Sequence, residues 1–231
     1  MESLTVGDLS FEVRRSARRR SVEITVDRGG ELVIAAPESC AMSTLEGFVV
    51  EKRAWIYTKL AEKAALQHDA PRREYVTGEG FAYLGRSHRL LLVDGQREPV
   101  KLEEGRFKMR RDVAPKGHEA MVRWYTEHAR PWLTERVARW CDRIGATPAG
   151  VHVRDLGYRW GSCSARGVLY FHWRTILLPP RVVEYVVVHE LVHLIEAHHA
   201  PAFWQRIERA LPDYAARKLW LDERGAAVAN V

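Results

Sequence analysis

Residues 186–195 read Val-Val-Val-His-Glu-Leu-Val-His-Leu-Ile, so three polar side chains stand inside an almost wholly apolar run. A helix through this run places His189 and His193 about 40° apart around its axis, and both imidazoles then project from one face. Burying these rings and Glu190 without a partner would cost free energy. A bound metal ion removes that cost. The run therefore predicts a buried helix that binds a metal.

The pattern His-Glu-x-x-His predicts one Zn²⁺ per chain, held by His189 and His193 at about 2.0–2.1 Å. Glu190 follows the first ligand and is expected to face the open position of the metal, where it accepts a proton from the bound water. The expected reaction is attack of this activated water on a scissile carbonyl. Glu190 would act first as the general base and then as the proton donor.

A third ligand is expected from His198 or His199. If the helix simply continued, the two side chains would lie about 140° and 120° from His193, on the wrong side, so the chain must turn. Ala200 precedes Pro201 and is disfavoured in helical geometry, which gives the chain a reason to turn there. His199 follows His193 by six residues, as in HExxHxxGxxH metalloproteases. We therefore favour His199 over His198.

Carboxylates are the other candidates for a third ligand. The HExxHxxGxxH pattern has glycine where this chain has Glu196, so the turn must be made differently. We interpret Glu196 as a group that hydrogen-bonds near the end of the helix or orients a ligand. Glu208, Asp213 and Asp222 lie further along the chain and are expected to be solvated helix residues.

The rest of the chain alternates between strand and helix patterns, which predicts an α+β fold. Residues 1–112 are expected to form a β-rich region with one helix, and residues 113–231 a zinc-binding helical part that contains the HExxH helix. In the first half, the periodicity predicts strands 22–26 and 32–36, a helix over 44–67, and short strands at 82–84, 89–93, 100–102 and 107–109. In the second half, it predicts a helix over 116–144, strands 151–153 and 168–173, a helix from Pro179-Pro180 to Ala197, and a helix over 201–211. No internal repeat is evident in the sequence.

Several motifs together resemble one known family. They are Arg159-Trp160-Gly161-Ser162-Cys163-Ser164, then Trp173, then Pro179-Pro180, then HELVHLIEAHHAPAFW. These segments resemble the YgjP-like, SprT-related zinc metallopeptidase family, and the resemblance covers most of the chain. It implies a zincin-like catalytic half behind a β-rich half. It also implies three ligands, which map onto His189, His193 and His199, and a catalytic glutamate, which maps onto Glu190.

The chain departs from the family pattern at His172 and His198, where asparagines are expected. These differences leave the ligand set intact and concern the details of the cleft. The family's biological substrates are poorly defined, so the resemblance implies a protein or peptide substrate without naming one.

The segment around Gly161 also has an interpretation from its residues alone. A strand is expected to end at Gly161-Ser162, where its backbone can approach a substrate or the metal helix closely, because glycine has no side chain. Arg159 is a candidate for stabilising a developing oxyanion or a substrate carboxylate. The equally weighted alternative is that Trp160 packs in the core and Arg159 pairs with a helix carboxylate. Cys163 is expected to be a buried structural thiol.

The charge of the chain leaves two further hypotheses open. The net charge is +6, the isoelectric point is near 9.4, and five arginines lie within seven residues: Arg14, Arg15, Arg18, Arg19 and Arg20. Such a cluster either contacts nucleic acid or forms the solvated rim of a small sheet, and we favour the rim. The alternative functions are a zinc-dependent nucleotide phosphohydrolase, and a nucleic-acid-associated protease or binding module. No Gly-rich phosphate loop supports the phosphohydrolase.

Other features of the sequence bear on the compartment. The first residues lack the basic start and the long apolar run of a secretory signal, and no apolar stretch reaches the roughly 18 residues that cross a bilayer. The three cysteines, Cys40, Cys141 and Cys163, are widely spaced and suggest no disulfide framework. We therefore expect a cytoplasmic protein without a membrane partner.

Overall fold

The computed structural model describes residues 2–26, 31–68, 73–157 and 159–228. The chain divides into two compact units, Met1–Pro71 and Arg72–Val231, which are described separately below. Strands and helices are both well represented, so the fold is α+β as predicted. None of the helices in the described ranges combines the length and hydropathy that a bilayer-spanning segment requires.

The first unit is a four-stranded sheet covered by one long helix. Its elements are β1 (Glu2–Val6), β2 (Leu9–Ser16), β3 (Glu23–Val26), β4 (Leu32–Pro37) and α1 (Met42–His68). The strand order is β1-β2-β4-β3, and the central pair β2–β4 is parallel. Leu45, Val49 and Ile56 lie on one stripe of α1 and are fully buried against Phe11 and Ile34 of the sheet. This stripe and the sheet form a core that belongs to the first unit alone.

The second unit begins with a sheet of the same topology. Its elements are β5 (Gly80–Tyr83), β6 (Arg86–Val93), β7 (Val100–Glu103), β8 (Arg106–Arg110), a 3₁₀ turn (Arg111–Lys116) and α2 (Gly117–Ile144). The strand order is β5-β6-β8-β7, and the central pair β6–β8 is parallel. Both units therefore contain two successive strand pairs followed by a long helix, with the same strand order and directions. This repeat is one of topology, which is why the sequence shows no repeat.

The remaining elements of the second unit form a three-stranded sheet and three helices. They are β9 (Gly150–Arg154), β10 (Gly161–Cys163), β11 (Val168–His172), a 3₁₀ turn (Trp173–Leu177), α3 (Pro180–Val192), α4 (Pro201–Ala210) and α5 (Tyr214–Val228). The strand order is β10-β11-β9, so β10 is an edge strand among the described residues. Helix α3 packs against α2, α4, α5 and β10. The predicted metal-binding helix is thus central to this unit.

Aromatic packing joins the β5–β8 sheet to the elements that follow it. Trp124 and Tyr125 of α2 both contact Phe107 of β8 edge to face, with ring centroids 4.8 and 5.9 Å apart. The Tyr125 hydroxyl donates to the carbonyl of Ala82 at 2.8 Å, and its ring stacks on Trp173 at 6.0 Å. The predicted division at 112/113 therefore falls inside the second unit. That division as a boundary between functional parts stays a prediction.

Most predicted elements lie where the sequence places them, with three differences. The strands β1 and β2 and the helix α5 were not predicted, although Leu9, Phe11 and Val13 alternate with more exposed residues, as a strand requires. The helix expected to reach Ala197 ends at Val192. The strand expected to end at Gly161-Ser162 instead begins at Gly161.

The arginine cluster lies at the end of β2 and in the turn that follows it, and three of its members have carboxylate partners among the described residues. Arg14 pairs with Glu12 at 2.8 Å and Arg19 with Glu23 at 3.0 Å. Arg15 pairs with Glu2 at 2.7 Å and also donates to the carbonyl of Cys40 at 2.6 Å. Arg15 is thus built into the sheet, while contact of the cluster with nucleic acid stays a prediction.

The turn between β5 and β6 contacts the start of α3. The N–H groups of Leu84 and Gly85 donate to the carbonyls of Ile176 and Leu177 at 2.8 and 3.1 Å. Gly85 has a φ of +75°, and a Cβ at this position would lie 2.7 Å from the Cα of Pro179. Only glycine satisfies both constraints, so the tip of this hairpin is fitted closely to the N-terminus of α3.

We predict that Gly85→Ala destabilises the protein more than Gly95→Ala. Gly95 has a similar φ of +79° but open space around its Cα. The left-handed backbone should cost about 1–2 kcal/mol in either variant. The clash with Pro179 should cost Gly85→Ala a further 1–3 kcal/mol or so. Chemical denaturation of both variants measures the difference, and equal midpoints would contradict a close fit at Pro179.

Candidate metal centre

Helix α3 presents the first two histidines from a buried apolar support. Pro180 occupies the first helical position, where its missing N–H is not needed. Nine of the helix residues are buried: Val182, Val183, Tyr185, Val186, Val187, Val188, Glu190, Leu191 and Val192. Since this packing holds the helix on several sides, the polar face that carries His189 and His193 has a fixed direction.

The helix ends at the second histidine, which corrects the predicted end at Ala197. His193 is the C-cap residue, and its N–H still donates to the carbonyl of His189 at 3.3 Å. The next bonds tighten, with Leu194 N–H donating to Leu191 and Ile195 N–H to Val192 at 3.1 and 3.0 Å. A last turn with i→i+3 bonds is a common way to end a helix. It turns the chain back toward the face that carries the histidines.

The turn brings His199 to the other two histidines. The Nε2 atom of His199 lies 3.0 Å from Nε2 of His189 and 3.1 Å from Nε2 of His193. Ala200 is extended, with φ −74° and ψ 169°, which is the backbone conformation favoured before a proline. Pro201 then opens α4. These three histidines form the one cluster of metal-binding side chains found among the described residues, with ligand atoms within 4.8 Å of one another.

The three imidazoles fit a metal ion. A tetrahedral site with bonds of about 2.0–2.1 Å has nitrogen–nitrogen edges of about 3.3–3.4 Å, within a few tenths of an ångström of the observed separations. The Nδ1 of His193 lies 3.1 Å from the carbonyl oxygen of Glu196. Because a carbonyl only accepts, Nδ1 carries the proton and Nε2 presents its lone pair. The histidine cluster therefore offers nitrogen donors that point toward a common centre.

Burial keeps the rings of His189 and His193 neutral, which metal binding requires. Burial, together with the nearby rings of His193 and His199, lowers the pKa of His189 to about 3. Burial also lowers the pKa of His193. Both rings therefore keep their lone pairs at neutral pH and do not have to lose a proton to bind a cation.

Glu190 lies beside this cluster and is 6% exposed. Burial raises the pKa of Glu190 to about 8, and the positive charge of Arg159 acts in the opposite direction. A Cβ on Gly161 would lie 2.6 Å from both Cγ and Oε1 of Glu190. The edge strand β10 thus contacts the Glu190 side chain directly, and glycine is required at this point because any side chain would occupy the space of the carboxylate.

A cleft of about 570 Å³ opens over these groups, and we call it the active-site cleft. One wall is the segment Arg159–Ala165, which includes β10, and the floor is helix α3 with Tyr185, His189, Glu190 and His193. His199 and Leu221 complete the lining. Ser162 and Arg159 share the wall, with a guanidinium nitrogen of Arg159 3.4 Å from the Ser162 hydroxyl.

Two aromatic residues of α4 support the histidine cluster, and the sequence did not identify them. The ring of Phe203 lies 4.6 Å from the rings of His193 and His199 and 4.9 Å from that of His189. The ring of Trp204 stacks on His199 at 5.6 Å, and its Nε1 donates to the His199 carbonyl at 3.2 Å. Their position in the sequence could have indicated this role, since both residues lie in the first turn of the helix that Pro201 opens, directly after His199.

The other residues predicted near the site take separate places. His198 is exposed and lies outside the histidine cluster. The Glu196 side chain pairs with Arg206 of α4 at 3.0 Å, while its backbone carbonyl accepts from His193. Of the downstream carboxylates, Asp213 pairs with Arg217 and Asp222 with Lys218, and Glu208 is exposed.

His172 is fully buried behind the cleft wall. Its Nδ1 accepts from the N–H of Arg174 at 3.0 Å, so its proton resides on Nε2, which lies 3.3 Å from a carboxylate oxygen of Asp155. The N–H of His172 donates to the carbonyl of Trp160 at 2.9 Å, and Thr175 donates to the same carbonyl at 3.0 Å. These bonds hold the backbone immediately before Gly161 in place. Cys163 is half-buried, and burial raises the pKa of its thiol.

Comparison with known proteins agrees with this geometry. A family model described as YgjP-like, metallopeptidase domain, matches residues 20–224, which is most of the chain. The protein therefore belongs to the YgjP-like family, as the motifs around Gly161 and His189 indicated, and it is a metal-dependent peptidase. The metal that this family implies is a divalent cation, and the histidine cluster is the group of residues suited to hold it.

One solved structure and the curated proteins were also compared with the chain. The crystal structure of the metallopeptidase zymogen of Pyrococcus abyssi abylysin is similar with a TM-score of 0.35 and 20% sequence identity. The match covers 39% of this chain and 93% of that chain. No curated protein gave a significant match.

We predict that Gly161→Ala impairs peptidase activity and leaves metal binding intact. The new methyl group would displace the Glu190 carboxylate, and a shift of about 1 Å in an active site can cost a hundredfold in rate. Gly150→Ala in β9 is the matched control, because a Cβ there meets its nearest neighbour at 3.6 Å. Activity and metal content are measured on both variants.

A double-variant cycle checks the cause of that loss. Glu190→Asp shortens the side chain and makes room for the methyl group, so Gly161→Ala should cost much less in the Glu190→Asp background. Equal losses in both backgrounds would show that Gly161 does not act through Glu190.

Proposed function

We propose that this protein is a zinc metalloendopeptidase with one zinc ion per chain, held by His189, His193 and His199, and with Glu190 as the general base. The observation that carries this proposal is the convergence of three imidazole Nε2 atoms beside one buried carboxylate in a single cleft. The established family membership supplies the reaction class, and the residues supply the choice of metal and the roles.

The set of donors favours zinc over the other common divalent cations. Three neutral imidazoles suit Zn²⁺, whereas Mg²⁺ and Ca²⁺ prefer oxygen ligands. Three protein ligands leave a fourth position open, as catalytic zinc sites do and structural sites do not. A zinc ion bound there supplies Lewis acidity, which lowers the pKa of a bound water and polarises a carbonyl group.

Glu190 has the position and the environment of a general base. It adjoins His189 in sequence, lines the same cleft and is almost inaccessible to solvent. Positive charge from Arg159 and from a bound cation favours the ionised carboxylate, the form that accepts a proton. Glu190 then takes a proton from the attacking water and returns it to the leaving amine, which is the general acid–base role expected in peptide hydrolysis.

The edge strand β10 supports binding of an extended peptide. The Trp160 carbonyl accepts from the N–H of His172, and the Ser164 N–H donates to the carbonyl of Val168. Every second residue from Trp160 to Ser164 therefore directs its backbone groups toward β11. In an antiparallel pair the intervening residues direct their backbone groups the other way, so those of Gly161 and Cys163 point toward the open edge. A substrate backbone can add there as a further strand, and this mode of binding favours cleavage within a chain.

The two alternative functions receive less support. Membership of a metallopeptidase family argues against a nucleotide phosphohydrolase. A structural zinc module would need a fourth protein ligand, whereas the histidine cluster contains three residues among those described, and Glu190 stands beside it without belonging to it. A peptidase that acts on proteins bound to nucleic acid keeps the same active site and stays a prediction.

We predict that His199→Ala loses zinc and that His198→Ala retains it. Removing one of three ligands should lower zinc affinity by more than about a hundredfold, since even losing a group that orients a ligand costs 10- to 100-fold. Competition with a chromophoric chelator measures the affinity of each variant. If the two variants exchanged behaviours, the third ligand would be His198. If both kept full affinity, a carboxylate would have to complete the site.

We predict that Glu190→Gln keeps zinc and the fold but loses peptide hydrolysis by about 10²- to 10⁴-fold, the usual worth of a general base. Glutamine has nearly the same shape and cannot accept the proton. Casein and denatured proteins serve as substrates, and Glu208→Gln on the exposed face of α4 is the control. A Glu190→Gln protein as active as its parent would exclude Glu190 from the mechanism.

A further inference from the structure

The segment that supplies one wall of the active-site cleft is rich in arginine. Residues 146–183 contain five arginines, Arg154, Arg159, Arg166, Arg174 and Arg181, and one acidic residue, Asp155. Two of the arginines pack on aromatic rings of the sheet and its following turn: Arg154 lies over Tyr170 at 4.1 Å, and Arg174 over Trp173 at 4.5 Å. Those two therefore serve the packing of this part of the fold.

Arg159 is placed differently, because its side chain lines the cleft. Among the described residues that line it, Arg159 is the one arginine or lysine and Glu190 the one acidic residue. Glu190 is buried at the floor, whereas Arg159 is exposed on the wall next to β10. Among the described side chains that line the cleft, the charged group that an incoming peptide can reach is therefore the Arg159 guanidinium, and its charge is positive.

We propose that Arg159 selects substrates that carry a carboxylate close to the scissile bond, so that acidic peptide segments are the preferred substrates. This inference rests on the proposed peptidase function and adds the class of substrate to it. The carboxylate is either an aspartate or glutamate side chain or the C-terminal carboxylate of a peptide, because both present the same group to a guanidinium.

The chemistry of the guanidinium supports this choice. Arginine binds a carboxylate with two parallel N–H···O bonds, and its charge is more weakly hydrated than that of lysine. An exposed arginine has little desolvation cost to recover when it forms such a pair.

Matched peptide pairs test the inference. One pair has blocked ends and differs only by Asp against Asn next to the cleaved bond, and a second pair differs only by a free C-terminal carboxylate against an amide. In the zinc-loaded parent, the peptide with the carboxylate should have a kcat/KM about tenfold higher or more, as expected for one charged hydrogen-bonded pair. The pair that shows this preference identifies which carboxylate is recognised.

Variants of Arg159 assign the preference to this residue. Arg159→Gln should reduce the ratio between paired peptides to about one, and Arg159→Lys should restore part of it. The ratio is the proper measure, since Arg159 also acts on Glu190 and its loss changes the rate for every peptide alike. Arg154→Gln is the control, because that arginine packs on Tyr170 and does not line the cleft. A parent ratio near one, or a ratio unchanged in Arg159→Gln, would overturn the inference.

A binding measurement separates this inference from the proposed function. Fluorescence anisotropy of the same labelled peptides is measured with zinc-loaded Glu190→Gln and with Glu190→Gln/Arg159→Gln. Tighter binding of the acidic member, lost in the double variant, would support the role of Arg159 even if no peptide were hydrolysed. If peptides were hydrolysed but both proteins bound the two members equally, the role of Arg159 would be excluded and the peptidase function would stand.

Discussion

The Nε2 atom of His199 lies about 3 Å from the Nε2 atoms of His189 and His193, and the rest of the catalytic unit serves to hold these imidazoles from two segments of the chain together. The rings of His189 and His193 are neutral because burial opposes their protonation, so these two side chains offer lone pairs and not positive charges. Holding neutral donors together has a purpose only if a cation binds among them. Much of the surrounding structure follows from this requirement.

Each histidine is fixed by a different physical means. His189 is fixed by the buried faces of α3, and His193 by a hydrogen bond from its Nδ1 to the carbonyl of Glu196. His199 lies on an exposed turn, and the Trp204 ring and indole N–H hold it in place. A salt bridge between Glu196 and Arg206 anchors this turn to α4. Rigid support of this kind allows ligand atoms to remain close together before any metal arrives.

The β-rich parts of the chain have different relations to this site. The β5–β8 sheet shares a core with the helices through Phe107, Trp124 and Tyr125, and its Gly85 turn contacts the start of α3. The first unit repeats the same topology around a separate core. The repeat is invisible in the sequence because strand order and direction depend on which strands pair, and many unrelated apolar patterns satisfy the same pairing.

The sequence predicted much of the candidate site: the apolar run with two histidines and a glutamate indicated a buried helix with both imidazoles on one face, and the Ala200-Pro201 step with the six-residue offset pointed to His199. It also located most helices and strands, because their periodicity is local. Three features became evident only in the folded structure: α3 ends at Val192, Phe203 and Trp204 support the imidazoles, and Gly161 lies against Glu190. They depend on contacts between segments that lie far apart in the chain or across a turn. Local sequence patterns do not specify such contacts, because only folding brings the partners together.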